Sequence, residues 1–122
     1  MNLLALALVI FASSWTHVPR DEAWHVDDST MKTVRTELKP AVRKAAKSIR
    51  EPLRRWSTYR FQFQGRLIDG RRVVFVNAYC WLDPEMSEEI FFTLSDGGTC
   101  FFDTTYDVDT KTFGPMGFHG HG

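Results

Sequence analysis

Residues 59–81 read YRFQFQGRLIDGRRVVFVNAYCW, two alternating runs separated by Asp69-Gly70. Tyr59, Phe61 and Phe63 alternate with Arg60, Gln62 and Gln64, the period of two that a half-buried strand imposes. Asp-Gly is a two-residue hairpin signal, because the favoured turn needs positive φ at both central positions. Such a turn sets Ile68 opposite Arg71, and the register then carries Phe63 opposite Val76, Phe61 opposite Ala78 and Tyr59 opposite Cys80. The side chains of these last three pairs share one side of the sheet.

Downstream, the apolar run Ile90 to Leu94 leads into Asp96-Gly97-Gly98, and Thr99 to Tyr106 reads as a further strand. Laid antiparallel beside Val73 to Trp81 with Cys100 opposite Cys80, it sets Phe102 against Ala78 and Tyr106 against Val74. One register thus serves both a disulfide and the burial of one face. Asp107 to Thr110 reads as a short hairpin turn, and Thr112 to Phe118 as an edge strand that Gly114 and Pro115 weaken.

Upstream the period changes to that of a helix. Met31, Val34, Leu38, Val42, Ala45, Ile49 and Leu53 recur at spacings of three and four along one stripe. Asp28 and Ser29 are the N-cap candidates, and Pro52 is the expected stop. Pro40 removes one intrahelical bond, so the segment is either one helix kinked at Pro40 or two helices packing the same stripe. The expected fold is α+β: one N-terminal helical segment across a curved antiparallel sheet of about four or five strands.

Leu3 to Ala12 (LLALALVIFA) is an uncharged run too short to span a bilayer and of the length of a secretory leader's apolar region. Ala12 and Ser14 form a small-x-small site, which predicts a signal peptide over residues 1–14, with cleavage after Ala12 as the second choice. Residues 15–122 are then one secreted domain with no transmembrane span, rich in Phe, Trp and Tyr. In an oxidising compartment Cys80 and Cys100 read as one bridge.

The zero net charge hides segregation. Thirteen Lys and Arg lie between Lys32 and Arg72, whereas Val73 to Asp109 carries eight Asp and Glu and no Lys or Arg. The folded surface is either internally neutralised or carries two opposed patches.

Asn77-Ala78-Tyr79-Cys80, Asp96-Gly97-Gly98-Thr99-Cys100-Phe101-Phe102, Tyr106-Asp107 and Phe113 resemble the pattern of a group of small exported bacterial proteins with a paired-cysteine frame. A helix followed by an antiparallel sheet is also similar to cystatin-like folds. The resemblance implies a periplasmic or secreted bacterial protein and transfers no catalytic residue. The glutamine-containing inhibitory loop of cystatins has no counterpart, since Gln62 and Gln64 fall within a strand pattern.

No complete catalytic motif occurs: there is no G-x-S-x-G elbow, and both cysteines are committed to the bridge. Asp107-Val108-Asp109 lacks the continuation of a calcium loop, which leaves a hairpin with side-chain-to-backbone bonds. The chain is therefore expected to be no enzyme, to need no cofactor, and to act as a binding or inhibitor-like module.

Two surfaces are candidates for an unidentified protein or small ligand. Phe75, Asn77, Tyr79 and Trp81, beside Gln62 and Gln64, lie on the sheet face opposite the helix. That face is either a contact surface or a second small core covered by the chain between Leu82 and Leu94. The second candidate is the basic helical face, with Arg43, Lys47 and Arg50 at its centre and Lys32, Arg35, Lys39, Lys44, Arg54 and Arg55 around it. It suits an anionic surface such as lipid head groups, a glycan or an acidic protein, while export argues against nucleic acid.

Metal handling is the alternative class. A chain starting at Trp15 has His17 at position three, where the amine, two backbone amides and the imidazole can surround Cu(II) or Ni(II) in a square plane. His119 and His121 form a further flexible ligand pair, able to share an ion with His17 or His25.

Overall fold

The computed structural model describes residues 14–49, 51–80 and 98–118. Residues 1–13 of the expected signal peptide, Arg50, Trp81, the expected strand Ile90 to Leu94, Asp96-Gly97 and the histidines at 119 and 121 lie outside these residues.

The hairpin forms in the expected register. Strands β2 (Arg60–Ile68) and β3 (Arg71–Tyr79) pair Ile68 with Arg71, Phe63 with Val76 and Phe61 with Ala78. Asp69 and Gly70 both take positive φ, 52° and 76°, as the two-residue turn requires. Strand β4 (Phe101–Asp107) joins β3 antiparallel with Phe102 on Ala78 and Tyr106 on Val74. Just before it, Cys100 closes a disulfide to Cys80 across 5.2 Å between Cα atoms.

Beyond β4 the chain returns as two short edge pieces in place of one strand, β5 (Thr112–Phe113) and β6 (Gly117–Phe118), both antiparallel to β4. Tyr106 faces Phe113 and Phe102 faces Phe118, so one extra residue is accommodated at Gly114-Pro115-Met116, the signature of a bulge. The Asp107–Thr110 turn is held by Asp107, whose Oδ1 accepts the amides of Asp109 and Thr110 at 2.9 and 3.0 Å. Its Oδ2 accepts from Arg71 Nε at 2.7 Å, and these contacts hold the carboxyl well below the usual carboxylate range.

The sheet has six strands, mostly antiparallel, in place of four or five. The missed strand is β1 (Trp15–His17), which pairs parallel to β2 along Phe61, Gln62 and Phe63. Three residues are too few to display a period. After β1 the chain wraps the edge of β2. Gln64 Nε2 donates to the carbonyls of Val18 and Arg20, Ala23 N–H donates to Gly65 O, and Trp24 Nε1 donates to Arg66 O. A Cβ on Gly65 would stand 2.1 Å from the Trp24 carbonyl oxygen, so only glycine admits this approach.

Helix α1 (Asp28–Ala46) is a single helix running through Pro40. Its N-cap is Asp27, not Asp28 or Ser29; Asp27 Oδ1 accepts the Thr30 amide at 2.7 Å. The helix ends at Ala46, capped by Lys47, well short of Pro52. Val34, Leu38 and Val42 are fully buried against Phe61, Phe63, Val74, Val76, Ala78, Phe102 and Tyr106, the face assigned from the register. Among the described residues no helix is long and apolar enough to cross a membrane.

Three outcomes check this fold. Closing a loop of twenty residues restricts the unfolded chain, so Cys80→Ser should lower stability by about 2 to 4 kcal/mol in a denaturant titration and expose one titratable thiol at Cys100. Val42→Asp should abolish the cooperative melt, since the charge enters a fully buried interface. Because folding lowers the Asp107 pKa, its contribution is present above the ordinary carboxylate range and lost as pH falls below it. The melting-temperature difference between wild type and Asp107→Asn should therefore be largest near neutral pH and shrink on acidification through pH ~3.9 and below.

Candidate functional site

The two faces of the sheet have different fates. On the face away from α1, Gln62, Asn77 and Tyr79 are 0, 2 and 1 % exposed, and Asn77 Nδ2 donates to Gln62 Oε1 at 2.9 Å. Directly opposed in register, the two amides satisfy one another, which lets a polar pair stay buried. Tyr79, Cys100 and Phe101 form a second small core. Phe75 is half-buried beneath the Arg66 guanidinium, 3.8 Å from the ring centroid. The contact surface expected at Phe75, Asn77 and Tyr79 is therefore interior at Asn77 and Tyr79; Trp81 lies outside the described residues.

His17 sits within β1, its ring stacked on Phe63 and its Nε2 against the Glu22 carboxylate at 2.8 Å. Glu22 Oε2 also accepts the Gly65 amide at 2.8 Å, which ties β1 to β2 through one carboxylate. A square-planar metal site would use the backbone amides of Thr16 and His17, residues paired here with Gln62 and Phe63. Ring centroids of His17 and His25 are 6.1 Å apart, and the described residues contain no cluster of three or more His, Cys, Asp or Glu able to hold a metal ion.

The basic residues assemble into a groove, and the early end of α1 is the reason. Lys39, Arg43 and Lys47 recur every four residues, a row of about 12 Å at 1.5 Å per residue. The chain then turns back, with Ser48 Oγ donating to Ala45 O. Arg54 and Arg55, read from the sequence as part of the helical face, instead lie beyond the helix end and form a second wall of the same groove. The open groove measures about 630 Å³; its apolar lining, or floor, is Ala46, Leu53 and Trp56, and Ser57 also lines it.

The second wall is fixed by bonds to the disulfide end of the sheet. Glu51 Oε2 accepts the Thr99 amide at 2.8 Å, and Thr99 Oγ1 donates to Pro52 O at 2.7 Å. The buried Tyr59 hydroxyl donates to Thr99 O at 2.5 Å and accepts the Arg54 amide at 3.2 Å. Burial pushes the Tyr59 phenol above its ordinary pKa, which keeps it a neutral donor. Trp56 packs on Tyr59, Phe61 and Phe102, with centroids at 5.5, 5.4 and 6.4 Å, so its indole is held against the aromatic core.

Among the described residues no carboxylate lines the groove. The ion pairs of the described residues are His17–Glu22 and Arg71–Asp107, and none of the five groove cations takes part. Like charges four apart destabilise a helix by a few tenths of a kcal/mol, about 0.2–0.5 per pair. The helix C-terminus offsets part of this for Arg43 and Lys44 in its last turn. It does not account for Arg54 and Arg55, which lie outside the helix.

Expectation from sequence reached Arg43 and Lys47 but not the groove; Arg50 lies outside the described residues. The pointer to the second wall was Pro52, an expected helix stop that separates Arg54 and Arg55 from the helical stripe, although α1 ends earlier, at Ala46. Comparison with family models, with curated proteins and with solved structures returns no match, so neither the paired-cysteine resemblance nor the cystatin-like likeness gains support from a relative.

Proposed function

We propose that this protein is a non-catalytic binding module whose basic groove receives an anionic partner. The observation that carries the reading is the gathering of five cations from two chain segments, Lys39, Arg43 and Lys47 with Arg54 and Arg55, around one groove that no carboxylate of the described residues lines. Paired walls hold a local positive potential that the zero net charge of the whole chain would not suggest. Among the described residues the groove offers one hydroxyl, on Ser57, and neither a histidine nor a carboxylate to activate it, which supports binding over nucleophilic catalysis. The Cys80–Cys100 bridge is compatible with an oxidising compartment outside the cytosol.

Adsorption to a polyphosphate matrix tests this directly, because a protein of zero net charge is retained only by a local cluster. Wild type should bind at low ionic strength and elute as salt rises. Arg43→Glu and Arg54→Glu, one from each wall, should each elute at clearly lower salt. Lys111→Glu, an equal charge change on the exposed turn after β4, should elute with wild type. No retention of wild type, or equal shifts for all three variants, would remove the groove from consideration.

A further inference from the structure

Resting on the anion-binding reading, we infer that the groove's occupant is a linear polyanionic saccharide. Its carboxylate or sulfate groups lie between the two cationic walls, and one sugar face rests on the Leu53–Trp56 floor. Three features of the groove select this class.

The cations of two chain segments line one concave site. A bilayer is flat and meets cations that share a plane, with apolar side chains projecting beyond them. Here Leu53 and Trp56 are partly buried, packed against the core, and line the same concavity as the charges rather than projecting beyond them. A narrow chain can enter between such walls; a membrane surface cannot.

The groove also lacks what peptides use. It runs between the C-terminal half of α1 and residues 53–57, so no sheet edge offers main-chain hydrogen bonds to an extended strand. Its floor of Ala46, Leu53 and Trp56 is too short for the apolar stripe of a docked helix.

The third feature is the character of the floor. Trp56 is anchored on one side by Tyr59, Phe61 and Phe102 and contributes to the groove lining on the other. A preset indole presents a flat apolar platform at little entropic cost. Pyranose rings carry flat C–H faces that stack on such a platform while their acidic substituents point sideways, toward Lys39, Arg43 and Lys47 on one side and Arg54 and Arg55 on the other. Arginines in the set add planar, bidentate recognition of carboxylate or sulfate. Single-stranded nucleic acid shares this combination of anions and stacking faces. The disulfide's compatibility with an oxidising compartment favours the saccharide.

The test is titration calorimetry on the oxidised full chain at one fixed ionic strength. Oligogalacturonate and dextran sulfate, as carboxylate and sulfate sources, are compared with poly-L-glutamate, oligothymidylate and phosphatidylglycerol vesicles. We expect at least one saccharide to bind about tenfold or more tightly than the other three probes. Arg43→Glu and Arg54→Glu should each weaken that binding by about tenfold, with wild-type melting curves certifying the fold. Trp56→Leu, which keeps an apolar residue at this position, should weaken the saccharide while leaving poly-L-glutamate unchanged. Equal or tighter binding of poly-L-glutamate, oligothymidylate or vesicles overturns the saccharide assignment and leaves the anion-binding reading standing. Absence of binding to every polyanion, or saccharide binding untouched by both charge reversals, overturns both.

Discussion

The two-residue turn at Asp69-Gly70 is the constraint from which the rest of the structure follows. With positive φ at both positions it sets Ile68 against Arg71, and the pleat then assigns every side chain of β2 and β3 to a face. Odd positions of β2 and even positions of β3 form the bed for α1; their alternates form the second, more polar interior. A slip of one residue would exchange Phe61 and Phe63 for Gln62 and Gln64 beneath the helix. It would also carry Ala78 away from Phe102, and so disturb the alignment that brings Cys100 to Cys80.

The same end of the sheet builds the groove. Cys80, Cys100 and Thr99 lie at the point where β3 and β4 meet, and Thr99 gathers Glu51, Pro52 and the Tyr59 hydroxyl into one hydrogen-bonded knot. That knot holds residues 51–54 against the sheet and so keeps Arg54 and Arg55 in one groove with the helical row. Glu51 is the carboxylate nearest in sequence to these arginines, and its Oε2 is engaged by the Thr99 amide. Concentrated positive charge is thus held in place by the core and the bridge, against its own repulsion.

Much of this was legible in the residues. The hairpin register, the pairing of Phe102 and Tyr106, the bridge and the buried stripe Val34, Leu38 and Val42 all follow from period and turn chemistry. β1 was not, because its pairing is distant, parallel and three residues long. Helix α1 read as longer than it is because Ile49 and Leu53 keep its phase after the backbone has left the helix. Gln62 and Asn77 read as surface because isolated amides usually are; their mutual hydrogen bond helps make burial acceptable. For the groove, composition supplied the charges while the fold-back at residues 47–55 supplied the geometry.

The most direct measurement is of nuclear Overhauser contacts from methyl-labelled Leu38 and Val42 to the aromatic rings of the oxidised protein. The register account predicts contacts to the ring protons of Phe61 and Phe102, together with cross-strand contacts of Ala78 to both. Contacts of those methyl groups to Phe75 or Phe101 would place the helix on the opposite face and contradict it.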